Sequence, residues 1–220
     1  MTPMTPPSTS LTPVPGRINL FWSPRSPFVR RVLVTAHELG IADRVHRIDT
    51  SVSMTGCNDE LMRLNPLNKI PTLVFEDGST LCDSAMICDY LADTVPASTL
   101  VPADAAGKRQ SAQWHALGHG LTDLLVLWVN ELRRPESLRS AQIMAAWNAK
   151  AAATLKRLDQ DAAALTQAPL TPGHIAIACA LGYLDFRFAE RPWRQEAPAL
   201  ARWFETFDQR ASMRETAPPA

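Results

Sequence analysis

Cysteine is scarce and poorly spaced for metal or redox chemistry. The 4 cysteines among 220 residues, Cys57, Cys82, Cys88 and Cys179, form no CxxC pair and no zinc-type spacing. They read as reduced thiols in a cytoplasmic protein. Neither sign of charge is in excess: 22 Lys and Arg stand against 22 Asp and Glu, so nothing points to nucleic acid or an acidic membrane surface as a partner. No apolar run approaches the ~20 residues that span a bilayer. Residues 1–16, MTPMTPPSTSLTPVPG, carry no charged side chain, no basic n-region and no apolar h-region. They read as a disordered Pro/Thr-rich extension and not as a secretory signal.

The first patterned stretch is Ile18-Asn19-Leu20-Phe21-Trp22, a β-type run broken by SPRSPF. Val29, Val32, Leu33, Ala36 and Leu39 then recur at helical spacing, ended by Gly40. Residues 45–48 read as a second strand and 57–64 as a short helical piece. Asn65 to Asp93, NPLNKIPTLVFEDGSTLCDSAMICDYLAD, predicts a turn, a strand at Thr72 to Phe75, a hairpin at Asp77-Gly78, a return strand and a helix capped by Asp83-Ser84. The order βαβαββα is the thioredoxin-like arrangement, an α/β layer with a mixed sheet.

That segment has two ends suited to a ligand. Ile70, extended because it precedes Pro71, offers its backbone to an extended peptide. At Asp83-Ser84, a helix N-terminus attracts a carboxylate and Asp an ammonium, which together fit an amino-acid terminus. From the residues alone, an unliganded hairpin with a well-capped helix is an equal reading.

Residues 95–102 form a proline-containing linker, and everything after it is helical. Trp114, Leu117, Leu121, Leu125, Trp128 and Leu132, and then Met144, Trp147, Ala151, Leu155, Leu158, Ala162 and Leu165, follow spacings of three and four. They predict two long antiparallel amphipathic helices separated at Pro135. Thr171-Pro172 opens a helix that is apolar all round from Ile175 to Leu181, hence buried. A last helix spans about 197–210, and the tail ETAPPA reads as loose. The expected domains are 17–94 and 103–216.

Over about residues 17–216 the chain resembles the cytosolic glutathione S-transferase superfamily, its bacterial members most. SPFVRRVLVTAHELGI resembles the start of that family's first helix, NPLNKIPTL its N-P-x-x-K-[IV]-P-x-L segment, and LCDSAMICDYL its L-x-[ED]-S-x-x-I-x-x-Y-L segment. TPGHIAIACALGYLDFR is similar to its buried carboxyl-terminal helix. One departure is visible: His174 stands where the family often has Asp, which puts that helix's capping box in doubt.

The resemblance implies the GST fold, with a thioredoxin-like domain followed by an all-helical one. It implies glutathione as co-substrate, no metal, a small hydrophobic electrophile as second substrate and a homodimer. Ser26 matches the catalytic hydroxyl or thiol position, whose task is to hold the glutathione sulfur as thiolate. The resemblance also implies that Ile70 pairs with the cysteinyl unit beside a cis Pro71. Asp83 and Ser84 would hold the γ-glutamyl end, and Lys69 the glycyl carboxylate. Read from the residues alone, Ser26-Pro27 is an N-cap and first-turn pair and Lys69 an ordinary exposed lysine; Ser23 is a rival hydroxyl. Serine at position 26 disfavours the mixed disulfide that a glutathione-dependent disulfide reductase needs. A non-catalytic glutathione-binding or regulatory protein on the same fold is the alternative.

Smaller features are given ordinary roles. The cysteines read as structural, Arg30-Arg31 and Arg133-Arg134 as solvated helix faces, and the tryptophans as core. His115 and His119 lack a third metal ligand. With Trp114 they are candidates for touching the electrophile.

Overall fold

The computed structural model describes residues 14–96 and 98–219. Strand β1 (Ile18–Trp22) leads through Ser23–Ser26 into helix α1 (Pro27–Glu38), and β2 (Val45–Asp49) follows a single 3-10 turn. Helix α2 (Asp59–Leu64), the hairpin strands β3 (Thr72–Val74) and β4 (Thr80–Leu81), and α3 (Ser84–Asp93) complete the first half. The sheet order is β2-β1-β3-β4, with β1 and β2 parallel and the other pairs antiparallel. Gly78, at φ 82°, turns the hairpin, a conformation that favours glycine. The mixed sheet is the expected one.

Helices α4 (Ala105–Leu132), α5 (Ala141–Gln167), α6 (Pro172–Arg187), α7 (Trp193–Glu196), α8 (Pro198–Phe207) and α9 (Ala211–Glu215) form the second half. Two apolar cores result. One holds Leu20, Phe21, Val29, Val32, Ile48, Leu73, Ile87 and Leu91. The other packs α4, α5 and α8 around α6, whose residues 173–181 are all buried, as the apolar run requires. Helix α1 belongs to both cores: Val29 and Val32 face the sheet, and Val34 joins the helical core.

That double covering overturns one expectation. Arg30 and Arg31 are not solvated; both are buried, Arg31 to 1 % exposure. Arg30 Nη2 donates to the Met213 carbonyl at 3.0 Å and lies 3.8 Å from Asp208. Periodicity records the sheet face of α1, but not the α6 and α9 helices that cover its other side.

The termini also differ from their reading. The expected loose extension falls mostly on residues 1–13, outside those described. Val14, however, already exchanges hydrogen bonds with the buried Asn19 side chain, and the Gly16 N–H donates to Glu76. The helix expected at about 197–210 is α8, opened by Pro198, and the short helices α7 and α9 flank it on either side. The tail is anchored at one residue: Thr216 is buried and donates to the Ser212 carbonyl at 2.6 Å. Cys57 is exposed and has no part in the core, against its structural reading.

The doubtful cap at Thr171 is intact, because His174 does the work of the carboxylate. The Thr171 N–H donates to His174 Nδ1 at 3.1 Å, and Nε2–H donates to the Leu165 carbonyl at 3.1 Å. Burial lowers the His174 pKa, so the folded chain holds it neutral. Below about pH 6.5 the unfolded chain takes up a proton that the folded one refuses, and stability falls by up to about 1.4 kcal/mol per pH unit from this site. Urea unfolding of wild type between about pH 7 and pH 5 should show that slope. His174→Gln keeps an acceptor at the same box position and should flatten it.

Candidate active site

The strand register gathers three chain segments at one end of the sheet. Pairing of Phe21 with Thr72 sets the end of β1 beside the start of β3, and pairing of Leu73 with Leu81 brings the end of β4 there as well. Ser26 just past β1, Ile70-Pro71 just before β3 and Asp83-Ser84 just after β4 therefore emerge together.

Ser26 is the N-cap of α1, extended at φ −87° and ψ 118°. Its Oγ accepts from the Val29 N–H at 3.3 Å, and Pro27 takes the first helical position. No acidic side chain lies in that first turn, so the positive end of the helix is not neutralised locally. The hydroxyl is half-buried and borders a cavity of about 180 Å³. That cavity is walled also by Ser23, Arg30 and Arg47, and by Glu215, Thr216 and Ala217 from the tail. Ser23 serves the turn through its carbonyl, which accepts from the Ser26 N–H at 3.2 Å.

The Ile70-Pro71 peptide is cis. The Ile70 side chain is buried, and its N–H has no partner among the described residues, which suits an extended peptide alongside. The preceding turn is held by asparagine. Asn65 Nδ2 donates to the Lys69 carbonyl at 3.1 Å and to Thr72 Oγ1 at 2.9 Å, and Asn68 adopts φ 52°. The Lys69 side chain is exposed and makes no hydrogen bond among the described residues.

Asp83 caps α3 with one carboxylate oxygen, Oδ1, which accepts from Ala85 N–H at 2.8 Å and from Met86 N–H at 3.4 Å. The other oxygen has no partner among the described residues. Ser84 is 1 % exposed, and its Oγ accepts from Arg31 Nη1 at 3.3 Å. The same Nη1 donates to His119 Nδ1 at 2.8 Å, and His119 Nε2 lies 3.3 Å from Asp123 Oδ2. Asp123 is held below the usual carboxylate range first by the His119 hydrogen bond, with Lys69 and Arg31 adding to it.

Arg31 and Asp123 are thus neighbours of the site that sequence reasoning missed, and His119, read there only as a candidate for touching the electrophile, joins them. Charged residues on a helix read as surface, and nothing in the linear pattern ties α1 to α4. The His115 ring stacks on His119 at 5.8 Å. Burial, with Arg31 next in effect, lowers its pKa to about 4 and leaves it neutral at physiological pH. Among the described residues no group of three metal-ligating side chains is placed to hold an ion.

Trp114 does not join the two histidines. It is fully buried on the far side of α4, where Nε1 donates to Asp161 Oδ2 at 3.2 Å and the ring packs on His174 at 5.0 Å. The aromatic group that does accompany them is Phe28, 5.5 Å from His119. Burial pushes the Cys88 thiol up to about 12 and raises that of Cys179, so neither supplies a thiolate.

Residues 25–94 match the family model described as the glutathione S-transferase N-terminal domain, and residues 141–206 match its C-terminal domain. A glutathione transferase family member from Pseudomonas fluorescens Pf-5, solved with bound glutathione, superposes with a TM-score of 0.88 at 36% identity, over 92% of this chain and all of that one. A glutathione S-transferase from Methylobacillus flagellatus, solved with glutathione bound, gives 0.81 at 34% identity, over 92% of this chain and 100% of that one. The uncharacterized GST-like protein YibF of Escherichia coli (strain K12) is 29% identical over 206 residues, 92% of this chain and 99% of its own.

Proposed function

Because the chain belongs to the glutathione S-transferase family, we propose that it binds glutathione at the Ser26, Ile70 and Asp83-Ser84 end of the sheet and activates the thiol for attack on a small electrophile. The observation that carries this reading is the convergence of those three segments, set by strand register, in a chain 36% identical to a structure solved with glutathione. In it, residues 17–94 bind glutathione and the helical residues 103–216 wall the second-substrate side, with 95–102 as linker.

Each group has a chemical task. The Ser26 hydroxyl and the first-turn N–H groups of α1 stabilise the thiolate, which is the nucleophile. Ile70 aligns the cysteinyl backbone. The free oxygen of Asp83 takes the γ-glutamyl ammonium, and Ser84 with the start of α3 takes its carboxylate. Lys69, exposed beside Ile70, takes the glycyl carboxylate. The electrophile then meets an oriented thiolate, so catalysis consists of ionisation and proximity.

A homodimer is part of this reading, supported by Met86 and Tyr90 exposed on α3. A cytoplasmic location is supported by four cysteines without a disulfide. No helix among the described residues is long and apolar enough to cross a membrane.

The test is the pH dependence of kcat/KM with an activated aryl halide, for wild type and Ser26→Ala. A free thiol ionises near pH 8.5, so loss of the stabilising hydroxyl should move the profile up by about 1–2 units and cut the rate at acidic pH by roughly 10- to 100-fold. Wild type that binds glutathione yet shows no turnover above the solution rate would leave the non-catalytic glutathione-binding reading in its place.

A further inference from the structure

The last turns of α6 carry an aromatic and cationic cluster to which glutathione gives no task. Tyr183 is 7 % exposed and lines a narrow crevice with Pro24, Arg25, Ser26 and Pro27, so this stretch of α6 borders the proposed thiolate position. The charges that bear most on its hydroxyl are both cationic, Arg187 and Arg133. One turn further along α6, the Arg187 guanidinium lies 4.1 Å from the Phe186 ring centre and 5.8 Å from that of Tyr183. Aromatic faces of this kind hold a guanidinium plane in place and leave its N–H edge to be filled. Arg187 Nε is buried without a partner among the described residues.

The balance of charge around Tyr183 is one-sided. Arg25 and Arg133 are exposed and, like Arg187, form no ion pair among the described residues. Of the cations at the crevice, Arg30 is answered by Asp208 at 3.8 Å. The carboxylates nearest in sequence are already engaged. Asp185 is held by Arg194 at 2.6 and 2.7 Å, and Glu131 by Arg134 at 3.1 Å. Burial raises the Tyr183 pKa against the opposing effect of Arg187, so the phenol stays protonated and can donate.

We propose that the second substrate is an electrophile carrying a carboxylate, and that Arg187 is the residue that selects it. The inference rests on the transferase reading of Ser26 and names the substrate class for that site. The reacting carbon meets the thiolate at Ser26, and the carboxylate extends along α6 to Arg187, about 6 Å of helix rise beyond Tyr183. There the guanidinium edge donates to both carboxylate oxygens, and the Tyr183 hydroxyl is a further donor. Arg25 and Arg133 add attraction at longer range, which favours an anion over a neutral compound of the same shape.

The test compares 4-chloro-3-nitrobenzoate with 4-chloro-3-nitrobenzamide as substrates of the full chain with glutathione. In both, the thiolate sulfur bonds to the carbon bearing chlorine, and chloride leaves with the bonding pair. Dividing each kcat/KM by the rate constant of the same reaction in solution removes the difference in intrinsic reactivity. On that scale wild type should favour the carboxylate about 10- to 100-fold. Arg187→Met should bring the preference below about threefold. Arg133→Met, which removes an exposed charge, should lower it by only about two- to threefold. Glutathione affinity, read by calorimetry, should not follow these changes.

A wild-type preference below about threefold, or one unmoved in Arg187→Met, overturns the proposal while the transferase reading stands. If that variant does not fold, Arg187→Gln, which keeps most of the stem without the charge, decides in its place. Turnover of neither compound above the solution rate overturns the transferase reading, and this one with it.

Discussion

Replacing Asp83 and Ser84 together by alanine should reduce glutathione binding to below calorimetric detection. Each side chain is assigned a charge-assisted contact worth about 1.5–3 kcal/mol, so losing both weakens binding by roughly 10²- to 10⁴-fold. Part of any effect at Asp83 belongs to the helix, because Oδ1 caps α3, and removing a cap costs about 1 kcal/mol of stability. Asp83→Asn separates the two roles. Asn keeps an oxygen for the Ala85 N–H but lacks the charge that answers an ammonium, so its melting temperature should stay near that of wild type while affinity still falls about tenfold or more. Wild-type affinity in the double variant would remove the γ-glutamyl assignment.

Gly118→Ala should be the most damaging single methyl addition in the chain. A Cβ at Gly118 would sit 2.5 Å from the Ala176 carbonyl carbon and the Ile177 nitrogen, both backbone atoms of α6. Gly173 makes the reciprocal approach, where a Cβ would lie 2.7 Å from the Ser111 carbonyl oxygen of α4. Helices α4 and α6 thus cross with backbone nearly against backbone, and no side-chain rotation can relieve the overlap. The gain in helix propensity, about 1 kcal/mol, is outweighed by an overpacking cost of about 3 kcal/mol or more. The net loss should lower Tm by roughly 4–8 °C for a chain of this size. Gly120→Ala is the control two residues along the same helix, exposed and with nothing within 4 Å of its Cβ. It should be neutral or stabilising by up to about 1 kcal/mol.

The contrast between those two glycines shows where a linear reading stops. Position 118 and position 120 look alike in a helical segment, and only the crossing of α6 makes one of them indispensable. The same holds for charge. Arg31 and Arg25 are both arginines at the start of α1 or just before it, yet one is fully buried against Ser84 and His119 and the other is exposed.

Most of the architecture was open to local reasoning. β-Branched and aromatic runs marked the strands, Asp77-Gly78 the hairpin, Pro172 and the apolar run of residues 175–181 the buried helix. These features act over a few residues, so periodicity and turn chemistry reveal them. The candidate site was legible in part for the same reason: Ser26, Ile70 and Asp83-Ser84 sit at ends of elements, and element ends carry local signals.

Packing between distant elements decided the rest. That Arg31, His119 and Asp123 meet beneath Ser84, and that the tail lies against the cavity beside Ser26, follow from elements about 50 to 190 residues apart being pressed together. Burial of charge is the physical signature of the first case. It depends on what covers a side chain, and the covering residues come from elsewhere in the chain.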